Sequence, residues 1–215
     1  MSRLDPGFKF IRSFISGYLE VLISTGLIDI NGKTNQQIHD EMLLKLKDIV
    51  QKKEYFVSLD YSNDLIKEAR KYNRKQKYEM SQLFYATWFE HWINKVIYTS
   101  GLKKGLSEKD IITLIRELKV QTKYTVIPKM MDIEPIDSVI CKTISLVSES
   151  RNAFVHYKHV PKNVNEVAID REKSLKTVSD VEKAVAYLSG YYAKKINGIT
   201  YKRIREIIEY ENTKT

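Results

Sequence analysis

The sequence predicts an all-α fold, a helical bundle with an N-terminal helical extension. Three observations lead to it. Apolar residues recur at three- and four-residue steps through most of the 215 residues, the stripe of a helix buried on one side. Ser, Asp and Asn stand where those stripes begin, and Pro or Gly where they stop. No stretch requires a sheet: Leu27 to Lys33 (LIDINGK), ending in an Asn-Gly turn signal, reads as a loop or a small hairpin arm.

The elements follow in order. Phe8, Ile11, Ile15, Tyr18, Leu19 and Leu22 give an amphipathic opening helix from about Leu4 to Ser24. Ile38, Met42, Leu43, Leu46 and Ile49 give a second from about Asn35 to Lys53. Ser62 or Asn63 can cap a third, whose pattern continues to about Tyr98 with a break near Tyr72–Asn73. Its first half is basic with interleaved tyrosines, and Lys67, Arg70, Lys71, Arg74 and Lys75 are candidate RNA-binding residues there, with Tyr72 and Tyr78 able to stack on bases. Its second half, MSQLFYATWFEHWINKVI, is the most hydrophobic helical stretch and is expected at the centre of the fold. Glu90 and His91 interrupt it as polar residues. Glu90 can orient a catalytic side chain or pair with Arg151.

Gly101 and Gly105 mark a turn, after which Ser107 with Asp110 begins a helix through Leu118 in a near capping box. Thr122 to Glu134 reads as a loop. Pro135 to His159 reads as one long helix, with Pro135 at its first position and Asp137 at the positive end of its dipole. Ile136, Ile140, Ile144 and Val147 form its apolar stripe, and Pro161 ends it. Asn163 to Lys176 reads as a polar connection. Thr177 or Ser179 then caps a helix to about Lys195 with Val181, Val185, Leu188 and Tyr192 on one side, and Tyr201 to Tyr210 closes the chain. The organisation expected is residues 1–60 as a helical extension packed on a domain formed by 61–215, one compact unit overall.

Composition sets the outer bounds. Hydrophobic residues make up 43% and charged residues 29%, a balance that argues against wholesale disorder. The single cysteine, Cys141, reads as a core thiol of a reducing compartment. Asp5, Pro6, Arg12 and Glu20 interrupt any leader-like apolar run, and no stretch reaches the roughly 18–20 apolar residues of a membrane span. A cytoplasmic location without membrane attachment is expected. The net charge of +9 suits a polyanionic partner, with RNA, DNA and an anionic membrane surface all eligible on charge alone, although lysines also serve as plain solubilising surface.

Arg151 carries the functional reading. It occupies the register where the apolar stripe calls for another hydrophobe, and an unpaired guanidinium is costly to bury. This end of the helix should therefore meet a wet cleft or a partner chain. Asn152 and His156 follow, one helical turn apart. With nine Arg and four His in the chain, R-x-x-x-x-H arises by chance roughly 0.2 times, and with the adjacent Asn about 0.01 times.

Arg151-Asn152-Ala153-Phe154-Val155-His156 resembles the R-N-x-x-x-H signature of the HEPN superfamily of all-α domains, many of which are metal-independent ribonucleases. The resemblance implies a HEPN-type bundle and an endoribonuclease that uses the RNA 2′-OH as nucleophile. The products would be 2′,3′-cyclic phosphate and 5′-OH ends. Arg151 would grip phosphoryl oxygens, His156 would move protons, its residue type being suited to that near neutrality, and Asn152 would hydrogen-bond phosphate, ribose or imidazole. Glu90, His91, Tyr157, Lys158 and His159 are candidate supporting residues, and Lys162 adds to the RNA-binding set. No Cys/His cluster, H-E-x-x-H or close acidic cluster suggests a metal, and no cofactor is expected.

Arg151 and His156 lie about 140° apart around an ideal helix, so two copies meeting across a two-fold axis would surround one phosphate better than one. The family likewise implies a homodimer with a composite cleft, and roles as toxins or antiviral-defence effectors. Some members pair with an antitoxin that modifies a tyrosine two residues after the histidine. Here that position is Lys158, and Tyr157 follows His156 directly. The alternative function is a non-catalytic helical RNA-binding or dimerisation module, in which Arg151 is a helix-end salt-bridge partner and His156 compensates the helix dipole.

Overall fold

The computed structural model describes residues 6–52, 60–156, 164–196, 199 and 201–209. They are helical, with no strand among them. The helices are α1 (Pro6–Ser24), α2 (Asn35–Lys52), α3 (Ser62–Arg74), α4 (Tyr78–Lys103), α5 (Glu108–Glu117), α6 (Val120–Thr125), α7 (Ile127–Met130), α8 (Ser138–Val155), α9 (Val164–Tyr191) and α10 (Tyr201–Ile208). A π-helical turn, Tyr192–Ile196, follows α9. The chain divides into two compact units: one comprises Met1–Ser58, Thr99–Leu106 and Tyr192–Thr215, the other Leu59–Tyr98 and Ser107–Tyr191.

In the first unit α1 and α2 pack on α10. Leu19, Leu22, Ile23, Ile28, Ile38, Met42, Ile204 and Ile207 form its core. The LIDINGK segment is a loop rather than a hairpin, turning at Gly32 with φ +70°. Thr34 and Gln37 then start α2 with a reciprocal capping box: Thr34 Oγ1 accepts from the Gln37 N–H at 3.3 Å, and Gln37 Oε1 accepts from the Thr34 N–H at 2.8 Å. Arg203 donates to the Lys33 carbonyl at 3.1 Å and ties that loop to α10.

The second unit is built on α4. Tyr85, Phe89, Ile93, Val96 and Ile97 of that helix are essentially inaccessible, as are Ile111 of α5, Ile144 and Val147 of α8, and Val181 and Leu188 of α9. α8 packs on both α9 and α6. Trp92 stacks on Tyr124 with ring centroids 5.9 Å apart and meets Tyr191 edge-on at 6.0 Å.

Several local expectations change. Asp60, not Ser62 or Asn63, supplies the side-chain oxygen at the start of α3, accepting from the Ser62 N–H at 2.8 Å. The break after α3 comes at Gln76, whose φ is 56°. Gly101 lies within α4, and the turn is made at Gly105 alone, with φ +75°. The Ser107 cap holds, its Oγ accepting from the Asp110 N–H at 3.2 Å.

The expected loop over Thr122–Glu134 is largely the two short helices α6 and α7, which exist because Lys123, Tyr124, Ile127 and Pro128 are buried against the unit rather than because of local propensity. Asn163–Lys176 is not a connection: α9 runs unbroken from Val164, through a segment without Gly or Pro. Pro135 does not begin α8. Asp137 caps it, accepting from the Val139 N–H at 2.7 Å, while Tyr187 and Tyr191 of α9 bond the backbone at Asp137 and Glu134 and keep that approach non-helical.

Glu182 of α9 takes a fork of bonds from Arg70 at 2.9 and 2.8 Å and a further one from the Tyr85 hydroxyl, joining α3, α4 and α9. The hydrogen bond from Arg70 holds its carboxyl below the usual carboxylate range, against the opposing effect of burial. A carboxylate so lowered stabilises the fold above its unfolded pKa and loses that contribution as pH falls through its folded value. Denaturant unfolding from about pH 6 to about pH 3 should therefore show the advantage of wild type over Glu182→Gln shrinking towards the acid end; a constant difference would refute the linkage.

Candidate functional site

α8 carries the motif at its last turn. Arg151 and Asn152 are helical, and His156 is the C-terminal cap with φ −90° and ψ 18°, its N–H donating to the Asn152 carbonyl at 3.1 Å. α8 therefore ends at Val155, and the Tyr157–His159 part of the expected helix lies outside the described residues. Asn152 and His156 are exposed and Arg151 is half-buried. Phe154 and Val155 beside them are 43% and 45% exposed.

The guanidinium is held from two sides. Nη1 donates to Asn152 Oδ1 at 2.9 Å, and Nη2 lies 3.6 Å from Oε2 of Glu90 on α4. Arg151 and Glu90 side chains are 36% and 35% exposed, so the pair is wet and contributes about 1 kcal/mol at most. Its consequence is direction: a side chain in the apolar register is turned to the rim. Asn152 spends its carbonyl oxygen on Arg151. Half a turn back, the Ser150 hydroxyl donates to Gln82 Oε1 of α4 and fixes the rotation of α8 against that helix.

Beneath the rim lies a charge that sequence reasoning missed. Lys123 of α6 is 2% exposed, and its ammonium donates to Asn94 Oδ1 at 2.9 Å. Asn94 is one turn after Glu90 on α4, so both present polar ends along one side of that helix. Burial pushes the Lys123 pKa down while the Glu90 carboxylate pulls it up. Next to it the Tyr124 hydroxyl donates to the Phe89 carbonyl at 2.6 Å and locks α6 onto α4. The available signal was the i, i+4 spacing of Glu90 and Asn94; nothing local marked Lys123.

His91 points outward on α4 and is exposed. Tyr157, Lys158, His159 and Lys162 lie outside the described residues. On α3 the basic set is partly compensated: Lys67 pairs with Asp64 at 3.2 Å, Lys71 with Glu68 at 2.8 Å and Arg70 with Glu182. Arg74 and Lys75 are exposed. The tyrosines lean on the protein rather than standing free for base stacking. Tyr72 of α3 stacks on Phe84 at 5.5 Å beside the buried Ile66 and Ala69, and Tyr78, the first residue of α4, is buried.

A groove of about 610 Å³ runs beside the first half of α8, between it and α6–α7, lined among others by Tyr124, Lys129, Cys141, Lys142 and Leu146. Cys141 is half-buried on this wall rather than sealed in the core, because α8 turns that side towards the groove. Burial and then the nearby Asp137 carboxylate push its thiol pKa up. Among the described residues no three His, Cys, Asp or Glu side chains gather as a metal cage, and no helix is long and apolar enough to cross a membrane.

No family model, curated protein or solved structure matches the chain. Because the Glu90–Arg151 pair is half in water, Glu90→Gln should change the unfolding free energy by less than about 1 kcal/mol in a urea titration; a larger loss would mean the pair is structural.

Proposed function

We propose that this chain is a HEPN-type, metal-independent endoribonuclease acting on single-stranded RNA. The observation that carries the reading is the solvent-facing grouping of Arg151, Asn152 and His156 at the end of α8, with the arginine held at the rim by Glu90. RNA supplies its own nucleophile. The 2′-oxygen attacks the adjacent phosphorus, the bond to the 5′-oxygen breaks, and a proton leaves the first oxygen while another reaches the second. The products are a 2′,3′-cyclic phosphate and a 5′-OH end. Arg151 neutralises charge on the phosphoryl oxygens, and His156 transfers one of the protons.

The second proton transfer falls to His156 of the partner subunit in a two-fold dimer. Phe154 and Val155, exposed beside the motif, are apolar surface that such a dimer covers. An effector role, as a toxin or in antiviral defence, fits an enzyme of this kind under the control of an antitoxin or another regulatory protein. The exposed Arg74 and Lys75 on α3 add positive charge for RNA. A second reading, a non-catalytic RNA-binding or dimerisation module, draws on the fact that Arg151 already has two partners.

One experiment separates them. Purified wild type, Arg151→Ala and His156→Ala are incubated with total RNA in EDTA and the new ends are analysed. Cleavage to cyclic-phosphate ends by wild type, with a loss of at least about a hundredfold in each variant and retained folding and RNA affinity, is expected. DNA should remain intact. Equal cleavage by wild type and His156→Ala, or none by either, would leave the binding module. Sizing of the wild type in solution should give a dimer; full activity from a strict monomer would remove the composite cleft.

A further inference from the structure

We infer that the groove between α8 and α6–α7 is a docking site for an acidic amphipathic helix of another protein. The inference stands apart from the ribonuclease reading and uses none of its residues. The buried Tyr124, Ile136 and Ile144 reach the groove from the core. On its α8 side Val139, Lys142 and Leu146 follow at helical spacing, so two apolar residues, 66% and 60% exposed, share one stripe with the lysine between them. On the opposite side Met130 and Val126 are 64% and 43% exposed. They stand one turn apart, the Met130 N–H donating to the Val126 carbonyl at 3.1 Å, with Lys129 beside them. Exposed apolar residues scattered singly need no explanation, but each of these four lines one cleft or neighbours a residue that does.

Charge selects the sign of the occupant. Lys129 and Lys142 line the groove, and neither ammonium has a carboxylate partner among the described residues. No Asp or Glu lines the groove, and Asp137, just ahead of the groove-lining Ser138, is spent on capping α8. A partner with carboxylates flanking an apolar stripe therefore meets two unneutralised cations. Shape selects its form. A small amphiphile inside the groove leaves the rim side chains in water, whereas a helix about 10 Å across, laid along the groove, covers both rims. Two other occupants fit less well. A second copy docked through the same face sets lysine against lysine. Single-stranded RNA finds no free ring in the groove, because Tyr124 is already stacked on Trp92.

The chain's single cysteine supplies a local reporter: Cys141 is half-buried on the groove wall, so its alkylation by a maleimide reads occupancy there. The probe is a synthetic helix of about four turns with a leucine stripe and glutamates on both flanks, titrated into the full-length protein. At saturation it should slow Cys141 alkylation at least about tenfold, with an affinity that falls as salt rises. Lys129→Glu/Lys142→Glu should weaken this peptide at least about tenfold and take up instead a version with lysines on the flanks. Met130→Ser/Leu146→Ser should lose both peptides. If the charge-reversed variant does not fold, Lys129→Gln/Lys142→Gln should bind the two peptides equally.

Failure of the glutamate peptide to bind wild type would overturn the inference. So would equal protection of Cys141 by a peptide of the same composition with its leucines scrambled, which would leave plain charge attraction. Protection by dodecanoate that is indifferent to Met130→Ser/Leu146→Ser would make the groove a small-molecule pocket, and protection by phosphatidylglycerol vesicles but not by the peptide would make it a membrane contact. A wild-type dimer that Met130→Ser/Leu146→Ser dissociates would assign the face to a second copy instead.

Discussion

A buried helix cannot leave its polar groups unanswered, and the second unit is assembled around that constraint on α4. Its apolar residues would allow α6, α8 and α9 to slide or rotate against it. Its polar ones do not. Gln82 takes the Ser150 hydroxyl, Tyr85 gives its hydroxyl to Glu182, the Phe89 carbonyl takes Tyr124, Glu90 faces Arg151 and Asn94 takes Lys123. Each such bond contributes only about 1 kcal/mol net, but leaving one buried partner unmet costs about 1–3 kcal/mol. The registers of three neighbouring helices are set by this asymmetry more than by the hydrophobic contact itself.

The motif inherits its geometry from that arrangement. α8 is anchored at its beginning by the Asp137 cap and by two tyrosines of α9, and near its end by Ser150 on Gln82. What projects beyond the last anchor is Arg151, Asn152 and His156. Rigid backbone up to one residue before the arginine, with exposed side chains after it, suits a site that must hold groups in place and still admit a large substrate. The two carboxamide and carboxylate oxygens on Arg151 leave the planar cation oriented without burying it.

Charge is distributed unequally between surface and interior. Most lysines among the described residues are exposed, and along α3 much of the positive charge is already offset within a turn by Asp64 and Glu68 or across helices by Glu182. A high formal charge therefore overstates the field that an RNA strand would meet on that helix. Lys123 is the reverse case, one positive charge that solvent does not screen.

The sequence alone determined the helical class, because one-sided burial leaves a 3.6-residue imprint wherever a helix is long enough. α1, α2, α5, α10 and the middle of α8 were legible in that way, as were the Ser107 cap and the anomaly of an arginine at an apolar position. Tertiary structure alone decided the rest. α6 and α7 span 6 and 4 residues, too few for periodicity to register or for propensity to sustain, and they form only where Tyr124 and Ile127 find a surface to enter. Whether Pro135 or Asp137 begins α8 turned on two tyrosines about fifty residues away. Lys123 read as ordinary solvated charge because a sequence shows which groups are polar, whereas burial and partners are properties of what packs around them.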